Sequence, residues 1–332
     1  MRLGVLGVGR IGTVHATTLS GLPGVESLVL ADADGDRVAE LAAGLGAEHV
    51  PDTAALFDAG LDGLVVATPT ETHPELLLAA VSAGLPVFCE KPVAADLTAT
   101  RAVLEAVGTT QEAVQIGFQR RFDPGFTAAR RALRAGALGW LHTVRATTLD
   151  AAPPPPAYVA GSGGLFRDCS IHDFDVIRWV TGREVVEVYA AGGNRGEEHF
   201  RASGDVDTAA AVLTLDDGAL ALVSGGRYNA AGYDARLELL GSADSVVAGL
   251  DGRTPLRSVE PGAPVAAEPA HTDFRDRFRH AYRAEMAAFT DVVARRAPSP
   301  CGVPDALAAL RVAEACALSV RERRPVRLAE ID

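Results

Sequence analysis

The sequence is poor in cysteine and in long apolar runs. Only 4 of its 332 residues are cysteines, without a Cys-x-x-Cys pair or a Cys/His spacing suited to zinc, so neither a disulfide framework nor a metal site is predicted. No apolar run reaches the roughly 18 residues of a membrane helix, and no charged leader precedes the first apolar run. We therefore expect a protein of the reducing cytoplasm.

Positive charge is also scarce. Lysine and arginine number 31 against 43 acidic residues, which gives a net charge of −12. Such a balance repels polyanions, so nucleic-acid binding is disfavoured, and we expect the pairs Arg120-Arg121 and Arg130-Arg131 on solvated helix faces, with ligand binding as the alternative. At 332 residues and 48% hydrophobic content, the chain can build two domains.

A glycine-rich turn follows the first apolar run. Residues 3–6 predict a strand and residues 13–19 a helix. The turn between them reads Gly7-Val8-Gly9-Arg10-Ile11-Gly12. In this setting Gly7 permits a tight turn, Gly9 lets the backbone approach a pyrophosphate, and Gly12 lets helix and strand pack closely. We predict that the three glycines, with Arg10 and Ile11, bind a dinucleotide.

An acidic residue ends the next predicted strand, residues 26–32. Asp32 lies 20 positions after Gly12, where a carboxylate can bind the ribose hydroxyls and would repel a 2′-phosphate. We therefore predict NAD rather than NADP. The alternative is that Asp32 caps the helix over residues 35–45, a position that Asp34 could fill equally well.

Strands and helices then alternate through a predicted first domain, residues 1–120. Further strands are expected at residues 61–67, 85–90 and 113–118, which predicts a doubly wound parallel Rossmann sheet. Ligands bind beyond the carboxyl ends of such strands, so the turns after residues 67 and 88 are candidate sites. Their predicted cofactor contacts are Thr68, Pro69, His73, Glu90 and Lys91. For His73 a helix cap or loop contact is the commoner role, and Lys91 could be an exposed loop lysine on spacing alone.

The predicted second domain, residues 121–332, has a different pattern of secondary structure. Several alternating strands predict an α+β domain with an open, mainly antiparallel sheet, whose free face could pair subunits. Residues 153–164 are rich in proline and glycine and form either a cover for a site or a plain connector. One later helix is expected to carry a single core stripe consisting of Phe274, Phe278, Tyr282, Met286 and Phe289.

A helix over residues 168–181 carries a carboxylate and an imidazole. Asp168 and His172 are four residues apart, so on a helix they lie one turn apart on the same face. A core stripe of Ile171, Phe174, Ile177 and Val180 marks another face, and Gly182 marks the end. A single histidine on a helix is usually structural, so the spacing by itself leaves the role of His172 open.

Motifs along nearly the whole chain resemble those of one oxidoreductase family. They are the glycine turn, residues 68–73, Glu90-Lys91-Pro92, residues 117–123 and Asp168-x-x-x-His172-Asp173. In this order they resemble the glucose-fructose oxidoreductase/inositol dehydrogenase/rhizopine catabolism (Gfo/Idh/MocA) family, most of all its bacterial inositol 2-dehydrogenases. The resemblance implies NAD-dependent oxidation of a secondary hydroxyl of an inositol, a homotetramer or dimer, and a cis peptide bond before Pro92.

Such an oxidation needs a base for the hydroxyl proton and a group that stabilises the developing alkoxide. An unperturbed imidazole has a pKa of about 6.5, so His172 is the predicted base, Asp168 orients it, and Lys91 stabilises the alkoxide. By resemblance the substrate contacts are Lys91, Gln119, Arg120, Asp150, Asp168, His172 and Tyr233.

Two departures from the family pattern leave the substrate open. Gln119 stands where the family often has methionine, and Ala231-Gly232-Tyr233 stands where it often has Tyr-Gly-Tyr. Another inositol isomer or a pyranose sugar is therefore an alternative. A metal enzyme that uses Asp168, His172 and Asp173 is disfavoured because no dense ligand cluster is evident. A non-catalytic NAD-binding sensor is the third reading.

Overall fold

The computed structural model describes residues 1–263 and 268–331. The chain divides into two compact units. The first consists of Met1–Phe122 and His280–Ala308, and the second of Asp123–Arg279 and Ala309–Asp332. The predicted division was a single cut after residue 120, whereas in this packing the segment His280–Ala308 joins the N-terminal unit.

The first unit contains a six-stranded parallel sheet. Its strands are β1 (Arg2–Leu6), β2 (Ser27–Ala31), β3 (Glu48–His49), β4 (Gly63–Val66), β5 (Val87–Glu90) and β6 (Val114–Gly117), in the order β3-β2-β1-β4-β5-β6. Every residue of β4, β5 and β6 is buried, because both faces of a doubly wound sheet are covered. The predicted parallel Rossmann fold is confirmed. The exposed two-residue β3 has no apolar pattern and was not predicted.

The second unit contains a seven-stranded mixed sheet. Its strands are β7 (Leu141–Leu149), β8 (Val185–Gly193), β9 (Thr208–Leu215), β10 (Leu220–Gly226), β11 (Asp234–Gly241), β12 (Ser245–Ala248) and β13 (Val326–Arg327), in the order β12-β11-β7-β10-β9-β8-β13. Among the described residues of this sheet, β7 and β10 pair in parallel, and the other neighbouring strands pair antiparallel. The residues of β9 alternate between exposed and buried, as expected for a sheet with one covered face. The predicted open, mainly antiparallel sheet is confirmed.

Helices flank these strands. They are α1 (Arg10–Ser20), α2 (Gly35–Leu45), α3 (Thr53–Phe57), α4 (His73–Ser82), α5 (Leu97–Val107), α6 (Pro124–Arg134), α7 (Pro156–Gly161), α8 (Ile171–Thr181), α9 (Glu198–Ala202), α10 (Phe274–Arg277), α11 (Arg279–Val293) and α12 (Val303–Glu322). Aspartates begin several of them, because a carboxylate accepts hydrogen bonds from otherwise unpaired first-turn amides. Asp34, Asp52, Asp96 and Asp123 cap α2, α3, α5 and α6 in this way.

Helix α11 explains why a late segment belongs to the first unit. Met286 and Phe289 are fully buried in the same cluster as Val5 and Phe88, and the rings of Phe88 and Phe289 lie 6.0 Å apart. An apolar stripe shows that a helix packs against a core, but it does not show which of two sheets provides that core.

The apolar stripe expected on one helix is divided. Helix α10 ends at Arg277 and α11 begins at Arg279. Phe278 packs 6.4 Å from Tyr233 in the second unit, whereas Tyr282 lies 5.9 Å from His15 in the first. The expectation of a single stripe is therefore wrong, because the chain passes from one unit to the other at this point.

Within the described part of the chain, no helix combines the length and apolar character needed to cross a membrane. In the same residues, no three His, Cys, Asp or Glu side chains are grouped as a metal site would require. All four cysteines are free.

Candidate active site

The turn between β1 and α1 has the shape of a dinucleotide cradle. Gly7 has a φ of +89°, which favours glycine. A Cβ on Gly12 would lie 1.9 Å from the carbonyl oxygen of Gly7, so only glycine lets α1 approach the turn this closely. A Cβ on Gly9 would meet no atom within 4 Å. The space beside the N-terminus of α1, which begins with Arg10 and Ile11, is thus open for a pyrophosphate.

Asp32 ties the end of β2 to this turn. Its Oδ2 accepts a hydrogen bond of 2.6 Å from the Val8 amide, and its Oδ1 accepts one of 2.9 Å from the Asp34 amide. The cap of α2 is Asp34, which accepts from the Arg37 amide at 3.1 Å, so the alternative of Asp32 as the cap is wrong. A carboxylate held at the glycine turn suits the ribose hydroxyls of NAD. The cradle and the carboxylate together fit that cofactor.

His73 joins the two turns that follow β4 and β5. The ring is buried, with Nδ1 2.8 Å from the carbonyl oxygen of Pro92 and Nε2 2.8 Å from that of Thr68. The Thr68 hydroxyl lies 2.7 Å from that of Thr72, and Pro69 precedes the 3₁₀ turn Thr70–Thr72. The loop contact expected as the commoner role of His73 is therefore present, while a direct contact of His73 with the cofactor stays a prediction.

Glu90 and Lys91 form the turn after β5. The Lys91–Pro92 peptide bond is cis, as the resemblance implied. The Glu90 carboxylate turns back into the first unit, where Oε1 lies 2.7 Å from Nε2 of the buried His15 and Oε2 accepts from the Lys91 amide at 3.2 Å. Glu90 therefore connects the Lys91 turn to His15 of α1. Lys91 is the only lysine in the sequence.

A second buried carboxyl group, Glu285 of α11, belongs to this neighbourhood. Burial, together with the charge of Glu90, raises the pKa of Glu285 well above its usual range. Its two carboxyl oxygens are buried and have no hydrogen-bond partner among the described residues. The Gln115 side chain donates instead to the Glu285 main-chain carbonyl, at 3.1 Å.

The basic pair after β6 is buried. Gln119–Phe122 forms a 3₁₀ turn in which Arg120 is 1% and Arg121 7% exposed. Arg121 forms an ion pair of 2.9 Å with Asp305. The expectation of a solvated helix face is wrong here, because a turn at the carboxyl end of a parallel strand lies inside the unit. The predicted substrate contacts Gln119 and Arg120 are thus on the first unit. In the other basic pair, the Arg130 guanidinium lies 4.2 Å from the centre of the Trp179 ring.

In the second unit, three neighbouring strands bring candidate residues to one sheet edge. Leu149 at the end of β7 pairs with Asp234 on β11 and with Gly226 on β10. The adjoining residues Asp150, Tyr233 and Arg227 therefore lie side by side at this edge. Tyr233 is also held there by its amide, which donates 2.7 Å to the carbonyl oxygen of His271. Asp150 and Tyr233 are predicted substrate contacts, whereas Arg227 was missed.

Asp168 reaches the same edge from a π-helical turn. This turn, Phe166–Ser170, runs directly into α8, which places His172 in the first turn of α8; such turns are frequent at functional sites. Arg227 donates 2.9 Å to Asp168 Oδ2 and 3.0 Å to Asp150 Oδ2. The Tyr158 hydroxyl donates 2.9 Å to Asp168 Oδ1. Arg227 thus brings two predicted site carboxylates together.

Burial and charge oppose each other in this group. Arg227 is buried, which lowers its pKa, but Cys169, Asp168 and Asp150 outweigh burial, so that the pKa is raised. Burial raises the pKa of Asp150, and the charge of Arg227 opposes that rise. The arginine is therefore positively charged, and its charge favours ionised carboxylates on both sides.

Four residues of these two regions escaped sequence reasoning: His15, Tyr158, Arg227 and Glu285. Tyr158 lies on α7, within the segment expected either to cover a site or to connect. Arg227 directly follows a strand, and a charged residue at a strand end was an available signal. His15 and Glu285 gave no signal, because their partners are distant in sequence.

A Rossmann sheet with this cradle, followed by a unit that collects carboxylates at one sheet edge, defines an NAD-binding oxidoreductase. Two family models match the chain. Residues 1–118 match the "Oxidoreductase family, NAD-binding Rossmann fold", and residues 126–247 match the "GFO/IDH/MocA C-terminal domain". The chain belongs to the Gfo/Idh/MocA family, which confirms the resemblance seen in the sequence.

Individual relatives agree over nearly the full length. The inositol 2-dehydrogenase of Rhizobium meliloti (strain 1021) is 36% identical, with 99% of each chain covered. The crystal structure of a myo-inositol dehydrogenase from Corynebacterium glutamicum ATCC 13032 has a TM-score of 0.91 at 35% identity, covering 99% of this chain and 98% of that one. A scyllo-inositol dehydrogenase from Lactobacillus casei, with bound NAD(H) and scyllo-inositol, has a TM-score of 0.88 at 28% identity and covers 99% of each chain.

Proposed function

We propose that this protein oxidises a secondary hydroxyl of an inositol to the ketone, with NAD as the hydride acceptor. The observation that carries this proposal is the pair Asp150 and Asp168 at one sheet edge, joined by Arg227. Ionised carboxylates accept hydrogen bonds from hydroxyl groups, and adjacent carboxylates suit a substrate with several hydroxyls. The names of the relatives, which include both myo-inositol and scyllo-inositol dehydrogenases, support the same substrate class.

The roles of the side chains follow from what each can accept or donate. His172 takes the hydroxyl proton as general base, and the Lys91 ammonium stabilises the developing alkoxide. Asp168 acts through charge and orientation, and its two oxygens are positioned by Tyr158 and Arg227. When bound, NAD supplies the hydride acceptor. Arg120, Gln119, Asp150 and Tyr233 are the proposed contacts to the remaining hydroxyls.

Reduced-nicotinamide absorbance with a substrate panel tests the proposal. The panel is myo-inositol, scyllo-inositol, chiro-inositol, glucose and xylose, each with NAD and with NADP. Turnover with NAD and one inositol is expected. Turnover with a pyranose alone would move the enzyme to sugar oxidation, and NAD binding without any turnover would indicate a sensor. We expect a lower kcat/KM with NADP because Asp32 repels a 2′-phosphate.

Variants test the two proton-handling residues. Lys91→Ala and His172→Ala should each lower kcat by at least about 100-fold, the low end for acid–base roles. His142→Ala, an exposed histidine of β7, is the matched control and should keep wild-type kcat. Near-wild-type turnover in both Lys91 and His172 variants would contradict the assigned roles.

We also propose that the exposed face of the second sheet pairs with a second copy of the chain, as a dimer or within a homotetramer. Register aligns one row of side chains across this face: Tyr189, Val212, Leu222, Arg145, Glu238 and Val247. Its apolar members are 38–47% exposed, and exposed apolar patches mark interaction sites. Light scattering should show an oligomer that Leu222→Glu weakens.

The free cysteines support a cytoplasmic location.

A further inference from the structure

The two carboxylates beside Arg227 differ in what they have left to offer a ligand. Asp168 accepts Tyr158 at Oδ1 and Arg227 at Oδ2. Asp150 accepts Arg227 at Oδ2, and Cys169 Sγ lies 3.7 Å from that same oxygen. No described residue donates to Asp150 Oδ1, and the side chain of Asp150 is 22% exposed. Asp150 Oδ1 therefore accepts from no described residue, whereas each Asp168 oxygen already accepts one hydrogen bond.

Arg227 is built into this edge more firmly than either carboxylate. Its side chain is 2% exposed, and its amide donates 2.8 Å to the carbonyl oxygen of Asp207. One guanidinium nitrogen, Nη1, contacts both Asp150 Oδ2 and Cys169 Sγ, the latter at 2.8 Å. The planar fork spreads its donors over two carboxylates, which the single ammonium of a lysine cannot reproduce.

We propose that Arg227 is the positioning residue of the substrate half: it fixes Asp150 against Asp168 so that Asp150 Oδ1 faces a substrate hydroxyl. This proposal rests on the proposed function. Arg227 itself makes no contact with the substrate and acts through the two aspartates. Without its charge, the pKa of Asp150 would rise further, and a protonated Asp150 would lose its fixed orientation.

Steady-state kinetics of Arg227→Lys and Arg227→Met with the preferred inositol test this role. Misplaced binding groups can cost about 100-fold, so Arg227→Met should lose about 100-fold in kcat/KM and Arg227→Lys less. Most of the loss should lie in KM. The acid limb of kcat/KM against pH should move up by about one pH unit. The titratable groups near this site are Asp150, Asp168, Cys169 and Tyr158, together with His172, the proposed base four residues after Asp168, whose own titration also contributes to the acid limb.

The matched control is Arg178→Lys. Arg178 forms a bidentate pair with Glu184, at 2.7 Å for each bond, in the same unit. The Arg178→Lys variant should leave KM and the pH profile unchanged. NAD affinity, which depends on the first unit, should stay normal in every variant, and thermal melting reports whether the second unit, which contains Arg227, has folded. If Arg227→Met does not fold, Arg227→Lys alone decides.

The outcomes separate this role from the proposed function. An inactive wild type refutes inositol oxidation. In that event the dissociation constant of scyllo-inositol replaces KM as the readout. It is measured by calorimetry in the presence of NADH, on wild type and Arg227→Lys. Loss of binding in the variant supports the positioning role. The positioning role is overturned if a folded Arg227→Lys protein keeps the wild-type KM, or the wild-type dissociation constant, and its acid limb does not move.

Discussion

The two units hold their functional residues by different means. In the first, main-chain groups do most of the positioning: Asp32 and His73 hydrogen-bond to main-chain atoms of neighbouring turns. In the second, side-chain charges do so, with Arg227 between Asp150 and Asp168. A site held by main-chain geometry leaves a local sequence signature, whereas a site held by distant charges does not. Mutations should therefore have different consequences in the two units.

The largest expected effect tests the geometric side of this contrast. A valine at Gly12 would collide with the carbonyl of Gly7, and one at Gly9 would point into open space. Gly12→Val should therefore cost about 3 kcal/mol of stability or prevent folding. Gly9→Val should melt near wild type but weaken NAD binding by at least about tenfold, or about 1.4 kcal/mol.

Thermal melting and NAD titration of both variants measure the contrast. Gly44→Val is the control, since a Cβ there also meets nothing within 4 Å and the residue lies at the far end of α2 from Asp32. A Gly12→Val protein that is as stable as wild type would break the geometric account of the first unit.

A middle-sized effect concerns Glu285, which is an exception to the contrast because it is a buried ionisable side chain in the first unit. Its raised pKa means that the folded state binds the proton more tightly than the unfolded chain does. Its contribution to stability is therefore fully present below the unfolded pKa and is lost as pH rises towards the folded pKa. Glu285→Gln should be more stable than wild type at pH 8 by about 2 kcal/mol and similar at pH 4.

Melting temperatures of wild type and Glu285→Gln across this pH range provide the test. The exposed Glu105→Gln of α5 is the matched control and should follow the wild type at every pH. A Glu285→Gln protein that is equally destabilised at pH 4 and pH 8 would show that the carboxyl group is needed for packing rather than penalised by its charge.

The smallest expected effect tests how much a side-chain ion pair stabilises the second unit. Asp276 accepts a 3.0 Å hydrogen bond from Arg253, and this bond lowers the pKa of Asp276 to about 2. The pair therefore contributes stability above the unfolded pKa, which is lost as pH falls towards about 2, the opposite direction to Glu285. Asp276→Asn should lose about 1 kcal/mol at pH 7, a value reduced for solvent screening.

The loss in Asp276→Asn should shrink below pH 4, and chemical denaturation at pH 7 and pH 3.5 measures it. Asp244→Asn is the control, because it removes an exposed carboxylate whose one bond within the described residues comes from the adjacent Ser245 amide. Equal losses at both pH values would show that the Asp276 side chain acts by shape and not by charge.

Sequence reasoning succeeded where the information is local. The glycine turn, the acid after β2, the cis bond before Pro92 and the core stripe of α8 are each contained in a short segment, and the structure shows all of them. The roles assigned to Lys91, Asp168 and His172 stay predictions. Sequence reasoning failed where residues far apart in sequence meet. The burial of Arg120 and Arg121, the assignment of α11 to the first unit, and the Arg227 network all depend on which elements become neighbours.

Lys91 also has a consequence for protein chemistry. Because the 30 other basic side chains are arginines, an amine-selective reagent can react with one side chain and the α-amino group only. Reductive methylation with labelled formaldehyde would thus yield a single side-chain NMR signal from the turn after β5. Added dinucleotide or polyol could be followed at that one atom, without assignment of the rest of the spectrum.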